Sequence, residues 1–345
     1  MNAKDSDAVS SRDRRPTMMD VAARAGVSQA TVSLILNGSQ GARLSAATRL
    51  RVQKVAEELG YRFVHRDRRR EALDTKVICF VGDELTTDPW VAEAFEGARE
   101  KALEFGVTVC LTIARGDPDA EIRAIERLND QPLLGVIFAT VLTRRIEPPA
   151  ALRRHRTVLV NNYAADRSLP SVLPGDLVGG RTATERLILA GYRRIGFING
   201  QQGLDASRDR LRGYRQALSS HDIPFDPALV RPGNWEPSAG YAMTKELMAL
   251  SRPPDAIFCA NDLMAVGCYD ALRELGRRIP QDIAVIGFDD RDIAKFLHPP
   301  LTTLLLPQRE MGAIAAEILI DAAGRLDSGP SQIKVECPLV ERQSI

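Results

Sequence analysis

The stretch TMMDVAARAGVSQATVSLILNG, residues 17–38, has the pattern of two short helices joined by a tight turn. Thr17 and Asp20 have the spacing of a capping box, which predicts that the first helix begins at Thr17. Gly26 is expected to end this helix, because glycine adopts a positive φ without a steric penalty. Ser28 is a favourable N-cap and predicts the start of the second helix.

The small and apolar residues of this stretch have the spacing of a helix-turn-helix. Ala22, Gly26 and Val32 lie four and six residues apart. A small residue lets the two helices cross, glycine forms the turn, and valine packs the second helix against the first. A third helix is predicted from Ser45 to Gly60 by apolar residues at helical spacing. An ordinary helical hairpin would have the same spacing, so the spacing alone does not distinguish it from a DNA-binding unit.

Charge is unevenly distributed along the chain, although the formal net charge is only +1. Residues 1–76 hold 15 Lys and Arg against 9 Asp and Glu, whereas residues 77–345 hold 31 against 36. A basic N-terminal segment on a mildly acidic body indicates that the segment has a polyanionic partner. Four arginines also occupy five positions in RDRRR, residues 66–70. Such a run is either a solvated linker or an arm that contacts phosphates.

Composition excludes several classes of protein. The 345 residues are 44% hydrophobic and 26% charged, which is ordinary for a globular protein of two or three domains. No run of about 18 apolar residues predicts a membrane span, and the N-terminus lacks the apolar region of a secretory signal. The five cysteines form no C-x-x-C pair, and the four histidines are dispersed. We therefore expect a cytoplasmic protein with no metal and no cofactor.

The remainder of the chain predicts an α/β fold. Short apolar strands alternate with amphipathic runs, which is typical of parallel sheets with helices on both faces. The strands fall into two groups separated near Pro174-Gly175, and this grouping predicts two similar subdomains. The predicted strands are KVICFVG, VTVCLTI, LLGVIFA, TVLVN, RIGFING, DAIFCAN and IAVIGF.

Several motifs, in the same order along the chain, resemble one known family. Residues 17–38 and LSAATRLRVQKVAEELGYR, residues 44–62, resemble the DNA-binding segment of the LacI/GalR bacterial transcription regulators. The resemblance covers about residues 17–341. The motifs that resemble the ligand-binding core of that family are GYRRIGFING, SRDRLRGYRQAL, FCANDLMAVGCYDALRELGRRIPQDIAVIGFDD and LTTLLLPQREMGAIAAEILI.

The resemblance implies a three-helix, helix-turn-helix DNA-binding domain followed by a periplasmic-binding-protein-like core of two doubly wound α/β lobes. Ligands of open α/β sheets bind at the carboxyl ends of the strands, so the cleft between the lobes is the expected ligand site. The implied ranges are 17–62 for the DNA-binding domain, 63–76 for a hinge, 77–174 with about 304–325 for the first lobe, and 175–303 with about 326–341 for the second lobe.

The resemblance also implies which residues contact DNA. Gln29 and Ala30 occupy the positions of the leading base-contact residues, and Leu34 stands where an arginine is common. Leucine offers an apolar contact, for example to a thymine methyl, whereas arginine would bind guanine. The operator is therefore expected to differ from the usual one at that base. The predicted contacts in the DNA-binding domain are Thr17, Ser28, Gln29, Ala30, Thr31, Ser33 and Leu34.

The hinge departs from the family pattern. Arg70 lies where a leucine usually inserts between base pairs in the minor groove. A guanidinium is attracted by the negative potential of a narrow minor groove but is poorly suited to unstacking bases. Arg66, Arg68, Arg69 and Arg70 are therefore predicted to contact the minor groove and phosphates, with a merely solvated linker as the alternative.

The expected effector site combines aromatic and polar residues. Trp90 and Trp235, the only tryptophans of the chain, match family positions that face the cleft. Arg210, Asn261 and Asp289 match residues that would bind ligand hydroxyls, and Asp262 is an auxiliary candidate. Tryptophan in a plain core and an Asp262 that only caps a helix are the alternatives. A carbohydrate is favoured, with a glucoside-type mono- or disaccharide preferred.

A nucleobase is the alternative effector, although Leu204 and Ala206 do not supply the polar contacts of the purine-responsive members. An enzyme is disfavoured, since Asp289 and Asp290 are adjacent and cannot easily flank one bond. No phosphate-binding or nucleophile motif occurs either. We therefore expect a homodimeric repressor that a sugar releases from a palindromic operator. The competing hypotheses are a regulator with a corepressor-type response and a sugar-binding protein without DNA regulation.

Overall fold

The chain divides into two units in the computed structural model, with the boundary between Asp74 and Thr75. Each unit has an apolar core of its own. The structure describes residues 18–27, 31, 32, 35, 46–59, 77–86, 88–113, 117, 119, 123, 125, 126, 133–322 and 331–345.

The N-terminal unit is helical. Helix α1 spans Met18–Ala25 and helix α2 spans Ala46–Glu58, and Thr31, Val32 and Ile35 are helical as well. Apolar side chains from all three segments form one core, as the helical spacing of the sequence predicted. Its buried members are Val21, Ala22, Ala25, Val32, Ile35, Val52, Val55 and Ala56.

The predicted end of the first helix is confirmed. Gly26 has a φ of 64°, and the N–H of Val27 donates to the carbonyl of Ala22 at 3.1 Å. This left-handed residue closes the helix in the way that glycine favours. The predicted third helix agrees with α2. The expected caps Thr17, Ser28 and Ser45 lie outside the described residues.

The second unit consists of strands and helices in alternation, as predicted for an α/β fold. The strands are Val77–Gly82 (β1), Thr108–Ile113 (β2), Gly135–Ile146 (β3), Thr157–Ala164 (β4), Ser171–Pro174 (β5), Ile195–Ile198 (β6), Val230–Arg231 (β7), Ala256–Cys259 (β8), Ala284–Ile286 (β9), Thr303–Leu304 (β10), Gln332–Val335 (β11) and Leu339–Val340 (β12). The helices are Trp90–Leu103 (α3), Asp176–Leu189 (α4), Asp205–Ser220 (α5), Pro237–Met248 (α6), Asp262–Glu274 (α7), Ile293–Phe296 (α8) and Gln308–Ala322 (α9).

These elements form two parallel sheets, each the centre of one lobe. The first lobe has the strand order β11-β5-β4-β3-β1-β2, and the second has the order β7-β6-β8-β9. Helices α3 and α9 pack against each other in the first lobe, while α4 packs on α5 and α6 on α7 in the second. In the second lobe, Phe197 stacks on Phe258 with ring centroids 4.7 Å apart. Both sheets have buried strands, which explains why the strands are continuous apolar runs in the sequence.

The chain crosses between the lobes more than once. Strand β10 pairs antiparallel with β12, and α9 lies between these two strands in the chain yet packs on α3 of the first lobe. The expectation that residues from about 326 belong to the second lobe is wrong for β11. Gln332–Val335 pairs parallel with Ser171–Pro174, so this strand extends the first sheet before the chain returns. A four-residue edge strand with alternating polar residues gave too weak a periodic signal to be assigned from sequence.

Candidate functional site

A cavity of about 600 Å³ lies between the two lobes. It is bounded by residues that follow strands β1, β8 and β9 or lie in the C-terminal halves of β3 and β4, so it lies at the carboxyl ends of both sheets. Its size is in the ordinary range for a small-molecule site. The polar and aromatic side chains that line it are Asp83, Glu84, Asp88, Trp90, Thr143, Arg144, Asn161, Arg210, Asn234, Trp235, Glu236, Asn261, Asp289 and Arg291.

Arg210 of α5 is the centre of a buried ion network in the second lobe. Its Nε donates to Asp176 Oδ1 at 2.9 Å, and its Nη1 lies 3.7 Å from Asp289 Oδ1. Nη1 also donates to the carbonyl of Ala260. The guanidinium carbon lies 3.6 Å from the ring centroid of Phe288. These contacts fix the guanidinium in one position beside the cavity.

Asp289 is held at the end of β9 in an unusual backbone conformation with a φ of 117°. Its N–H donates to the carbonyl of Leu304 at 2.7 Å, which ties it to the crossing strand β10. Burial raises the pKa of Asp289 to about 7, although the guanidiniums of Arg210 and Arg291 oppose the shift. Near neutral pH this carboxyl group is therefore able to donate as well as accept a hydrogen bond.

Asn261 has a structural role that the sequence did not predict. Asn261 is the N-cap of α7, because its Oδ1 accepts from the N–H of Met264 at 2.8 Å. Its Nδ2 donates to the carbonyl of Trp235 at 2.9 Å, so the side chain also positions a tryptophan that lines the cavity. Asn261 still lines the cavity itself.

Asp262 is fully buried behind the cavity. Its Oδ1 accepts from Thr303 Oγ1 at 2.6 Å, and its Oδ2 accepts from the N–H of Arg291 at 2.8 Å. Burial, with the nearby charge of Asp289, raises the pKa of Asp262. The auxiliary ligand contact expected of Asp262 is not supported, because both oxygens hold other segments of the chain. The helix-capping alternative is wrong for Asp262, because the N-cap of α7 is Asn261.

Both tryptophans line the cavity, one from each lobe. Trp90 begins α3 of the first lobe. Trp235 has a φ of 72°, and its ring fills the space above Gly200. A Cβ at Gly200 would lie 2.0 Å from Trp235 Cη2, so only glycine leaves room for the indole. Flat apolar faces of this kind suit the C–H faces of a ring-shaped ligand.

Apart from Trp90, the polar residues of the first-lobe wall were not identified from the sequence. Asp83 follows β1, and its Oδ1 accepts from the N–H of Val141 at 3.0 Å while its Oδ2 lies 3.4 Å from Arg144. Asn161 in β4 accepts from Thr143 Oγ1 at 2.5 Å. Asp83 directly follows the predicted strand KVICFVG and Asn161 ends the predicted strand TVLVN, which is the signal that could have revealed these two residues.

Arg291 was also missed, and it joins the two lobes. It follows β9 of the second lobe, and its Nη2 donates to Asp88 Oδ2 of the first lobe at 2.7 Å. Three buried atoms that face this region find no hydrogen-bond partner in the described part of the chain. They are Asp88 Oδ1, Arg291 Nε and Trp235 Nε1. Buried polar groups normally have a partner, so these three atoms are free to bond to a molecule in the cavity.

Asp289 and Asp290 do not form a joint acid–base site. Asp290 accepts from Arg342 Nη2 at 2.6 Å, whereas Asp289 faces Arg210 and Arg291.

In the described ranges, no helix has both the length and the apolar character needed to cross a membrane.

Most residues predicted to contact DNA cannot be placed. Thr31 is described, and it is helical and partly buried. The hinge of residues 63–76 lies outside the described residues. The other predicted contacts outside them are Thr17, Ser28, Gln29, Ala30, Ser33, Leu34, Arg66, Arg68, Arg69 and Arg70.

The fold and the cleft define a class of protein: regulators that combine a helix-turn-helix with a two-lobed ligand-binding core. Residues 17–62 match the model of bacterial regulatory proteins of the lacI family, and residues 184–345 match the periplasmic binding protein-like domain. The chain belongs to the LacI family of bacterial transcriptional regulators. The resemblance seen in the sequence and the predicted fold class are thereby confirmed.

Full-length relatives agree with this assignment. The chain is 34% identical over 342 residues to the HTH-type transcriptional regulator CelR of Thermobifida fusca, covering 96% of this chain and 99% of that protein. The structure of a CelR–cellobiose complex has a TM-score of 0.67 at 32% identity, covering 96% and 100%. The Lac repressor dimer bound to operator and the anti-inducer ONPF has a TM-score of 0.66 at 25% identity, covering 96% and 99%. The chain is a regulator and not an enzyme.

Proposed function

We propose that the chain is a repressor whose DNA binding is controlled by a carbohydrate bound between the two lobes. The observation that carries this proposal is the composition of the cleft. Two tryptophans face a cavity of about 600 Å³ together with charged and amide side chains from both walls. Apolar ring faces beside closely placed polar groups are the complement of a sugar, which has C–H faces and a rim of hydroxyls.

The unpartnered atoms support a polyhydroxylated ligand. Asp88 Oδ1 can accept a hydrogen bond, while Arg291 Nε and Trp235 Nε1 can donate. A hydroxyl group both donates and accepts, so neighbouring hydroxyls of one sugar can satisfy all three atoms. The complex of the relative CelR with cellobiose also supports a sugar of disaccharide size. A nucleobase is less favoured, because Ala206 lines the cavity without offering a polar contact.

We further infer that a homodimer binds a palindromic operator in the cytoplasm. One helix-turn-helix reads only a half-site, and a symmetric dimer matches a site with the same symmetry. The Lac repressor dimer on its operator supports this arrangement. Gln29, Ala30 and Leu34 remain the proposed base contacts.

Sugar binding is proposed to close the lobes and to release DNA through the hinge. In thermodynamic terms, the sugar weakens DNA binding by the same factor by which DNA weakens sugar binding. Arg66, Arg68, Arg69 and Arg70 are proposed to hold the minor groove and phosphates. Replacing Arg68, Arg69 and Arg70 by alanine should flatten the salt dependence of DNA binding by about 0.9 in log–log slope for each phosphate that the variant no longer neutralises. An unchanged slope would assign the run to a solvated linker.

A thermal-shift screen tests the effector class. The probes are glucose, galactose, ribose, maltose and cellobiose, with adenine as the alternative class. A ligand that binds only the folded protein raises its melting temperature, and we expect at least one sugar to do so while adenine does not. The variant Arg210→Gln should lose the shift. A shift with adenine alone would contradict the carbohydrate assignment.

A further inference from the structure

We propose that Asp88 and Arg291 form a lobe-bridging pair that selects a neutral hydroxyl group of the effector and discriminates against charged sugars. The inference rests on the proposed use of the cleft for a carbohydrate and assigns its selectivity to two residues. Neither residue was singled out by the sequence, and they lie 203 positions apart in the chain.

The pair spans the cleft from one lobe to the other. Arg291 Nη2 donates to Asp88 Oδ2 at 2.7 Å, and the guanidinium carbon lies 4.8 Å from the ring centroid of Trp90. Arg291 thus belongs to the second lobe but contacts two residues of the first. Side chains of Asp88 and Arg291 are only 19% and 14% exposed, so water screens this contact weakly.

Arg291 is held in place from behind. Its backbone N–H donates to Asp262 Oδ2 at 2.8 Å, and Asp262 is fixed in turn by Thr303 Oγ1 at 2.6 Å. The Nε of Arg291 lies 3.6 Å from Asp289 Oδ2, which is too far for a hydrogen bond. The backbone of Arg291 is therefore fixed by Asp262, its guanidinium is oriented by Asp88, and its Nε–H makes no hydrogen bond within the described residues.

The pair leaves one acceptor and one donor without a partner. Asp88 Oδ1 and Arg291 Nε are both buried and make no hydrogen bond within the described residues. The hydroxyls of a sugar can donate to Oδ1 and accept from Nε, which would complete both groups. An acidic substituent would meet the negative charge of Asp88, and an ammonium group would meet the positive charge of Arg291. A neutral hydroxyl group opposes neither charge.

The pair also stands at one end of the cleft. A second cavity of about 910 Å³ lies next to the first, between α3, α9 and the segment after β9. The two cavities share the side chains of Trp90, Leu263, Asp289, Arg291 and Leu306. Arg291 and Trp90 therefore form part of the boundary between the two cavities.

The test compares affinities for matched neutral and charged sugars. Tryptophan-fluorescence titration of the full chain uses two triplets, glucose, glucuronate and glucosamine, and galactose, galacturonate and galactosamine, with cellobiose as a neutral disaccharide. We expect the wild type to bind a neutral sugar about tenfold more tightly than its charged analogues. Charge-assisted hydrogen bonds of one sugar hydroxyl account for a factor of this size.

The two variants should change selectivity in opposite directions. Asp88→Asn should weaken binding of the neutral sugar and improve the relative affinity of the acidic analogue, because Arg291 then attracts it without opposition. Arg291→Gln should improve the relative affinity of the amino analogue in the same way. Should Arg291→Gln fail to fold, Arg291→Lys and Asp88→Asn carry the test, and the lysine variant should keep the discrimination against the amino sugar.

The matched controls are Asp226→Asn and Arg194→Gln. These residues form an Arg–Asp pair in the second lobe, with atoms 3.1 Å apart, and neither lines the cleft. Both controls should keep the wild-type order of affinities. Asp88→Asn and Arg291→Gln could instead change the affinities for neutral, acidic and amino sugars by the same factor. That result would overturn selection by the pair while leaving the carbohydrate site intact. Binding of none of the neutral sugars to the wild type would overturn the proposed function and the selection together.

Discussion

The two walls of the cleft differ in how deeply their ion pairs are buried. In the second-lobe wall, the side chains of Arg210 and Asp176 are 4% and 2% exposed and their charged atoms lie 2.9 Å apart. In the first-lobe wall, Arg144 and Asp83 are 44% and 11% exposed and 3.4 Å apart. A buried charge without its partner is costly because no water replaces it, whereas a half-exposed pair contributes little. The second-lobe wall is therefore rigid, and the first-lobe wall is able to adjust to a ligand.

The largest expected effect comes from removing the buried guanidinium of the second-lobe wall. Arg210→Gln leaves Asp176 buried without its guanidinium and Asp289 with only that of Arg291, so we expect it to lower the free energy of unfolding by about 3–5 kcal/mol. Denaturant unfolding followed by tryptophan fluorescence measures this, since Trp90 and Trp235 both belong to the unit of residues 75–345.

The matched control for Arg210→Gln is Arg144→Gln in the opposite wall. Its partner Asp83 also accepts a hydrogen bond from the N–H of Val141, and Arg144 is half-exposed. We expect a decrease in the free energy of unfolding of roughly 0–1 kcal/mol. Equal decreases in the two variants would contradict the difference between the walls.

The second effect concerns the aromatic part of the rigid wall. Gly200→Ala would place a Cβ about 2 Å from Trp235 Cη2, an overlap that must displace the indole. Overpacking of this kind costs about 1–3 kcal/mol. We expect a shifted emission spectrum and weaker sugar binding, because Trp235 is one of only two tryptophans and lines the cleft. An unchanged spectrum together with wild-type affinity would show that the ring position is not restricted by Gly200.

The sequence predicts the residues of the second-lobe wall better than those of the first-lobe wall. Arg210, Asn261 and Asp289 lie in contiguous motifs that resemble a family, Trp235 matches a single family position, and all four line the cavity. The structural roles of Asn261 and Asp262 could not be predicted from the sequence. They depend on which atoms lie beside each side chain in the folded protein.

The other wall and the bridge depend on contacts between distant parts of the chain. Arg291 meets Asp88 across the cleft, and no local periodicity encodes that meeting. Strands β7, β10 and β12 escaped prediction for a similar reason, since each has two residues and exists only through its pairing partner. Long apolar strands and the Gly26 turn were predictable, because their signals are local.

The last expected effect is a pH dependence that originates in the rigid wall. Burial raises the pKa of Asp289 to about 7, so the folded protein binds a proton there that the unfolded chain releases near its ordinary carboxyl pKa of about 4. The resulting stability is fully present below that lower value and is lost as the pH rises through about 7. We expect unfolding midpoints to fall between pH 5 and pH 8, and Asp289→Asn to flatten part of this decrease.

Asp262 contributes a decrease of the same sign, because burial raises its pKa as well. The control for Asp289→Asn is Asp282→Asn. A hydrogen bond from Arg278 lowers the pKa of Asp282 to about 2, so its contribution changes only at acidic pH. This variant should keep the wild-type slope between pH 5 and pH 8. A slope in Asp289→Asn that equals that of the wild type would assign the pH dependence to other groups.

The central claim is that a sugar held between the two walls controls DNA binding, and reciprocal linkage tests it most directly. The purified protein first selects its operator from random double-stranded DNA, and fluorescence anisotropy then gives the Kd for that DNA with and without a sugar that raises the melting temperature. We expect the sugar to raise the DNA Kd by about 5–150-fold, the operator to raise the sugar Kd by the same factor, and Arg210→Gln to abolish the response. Identical Kd values with and without the sugar would contradict the account.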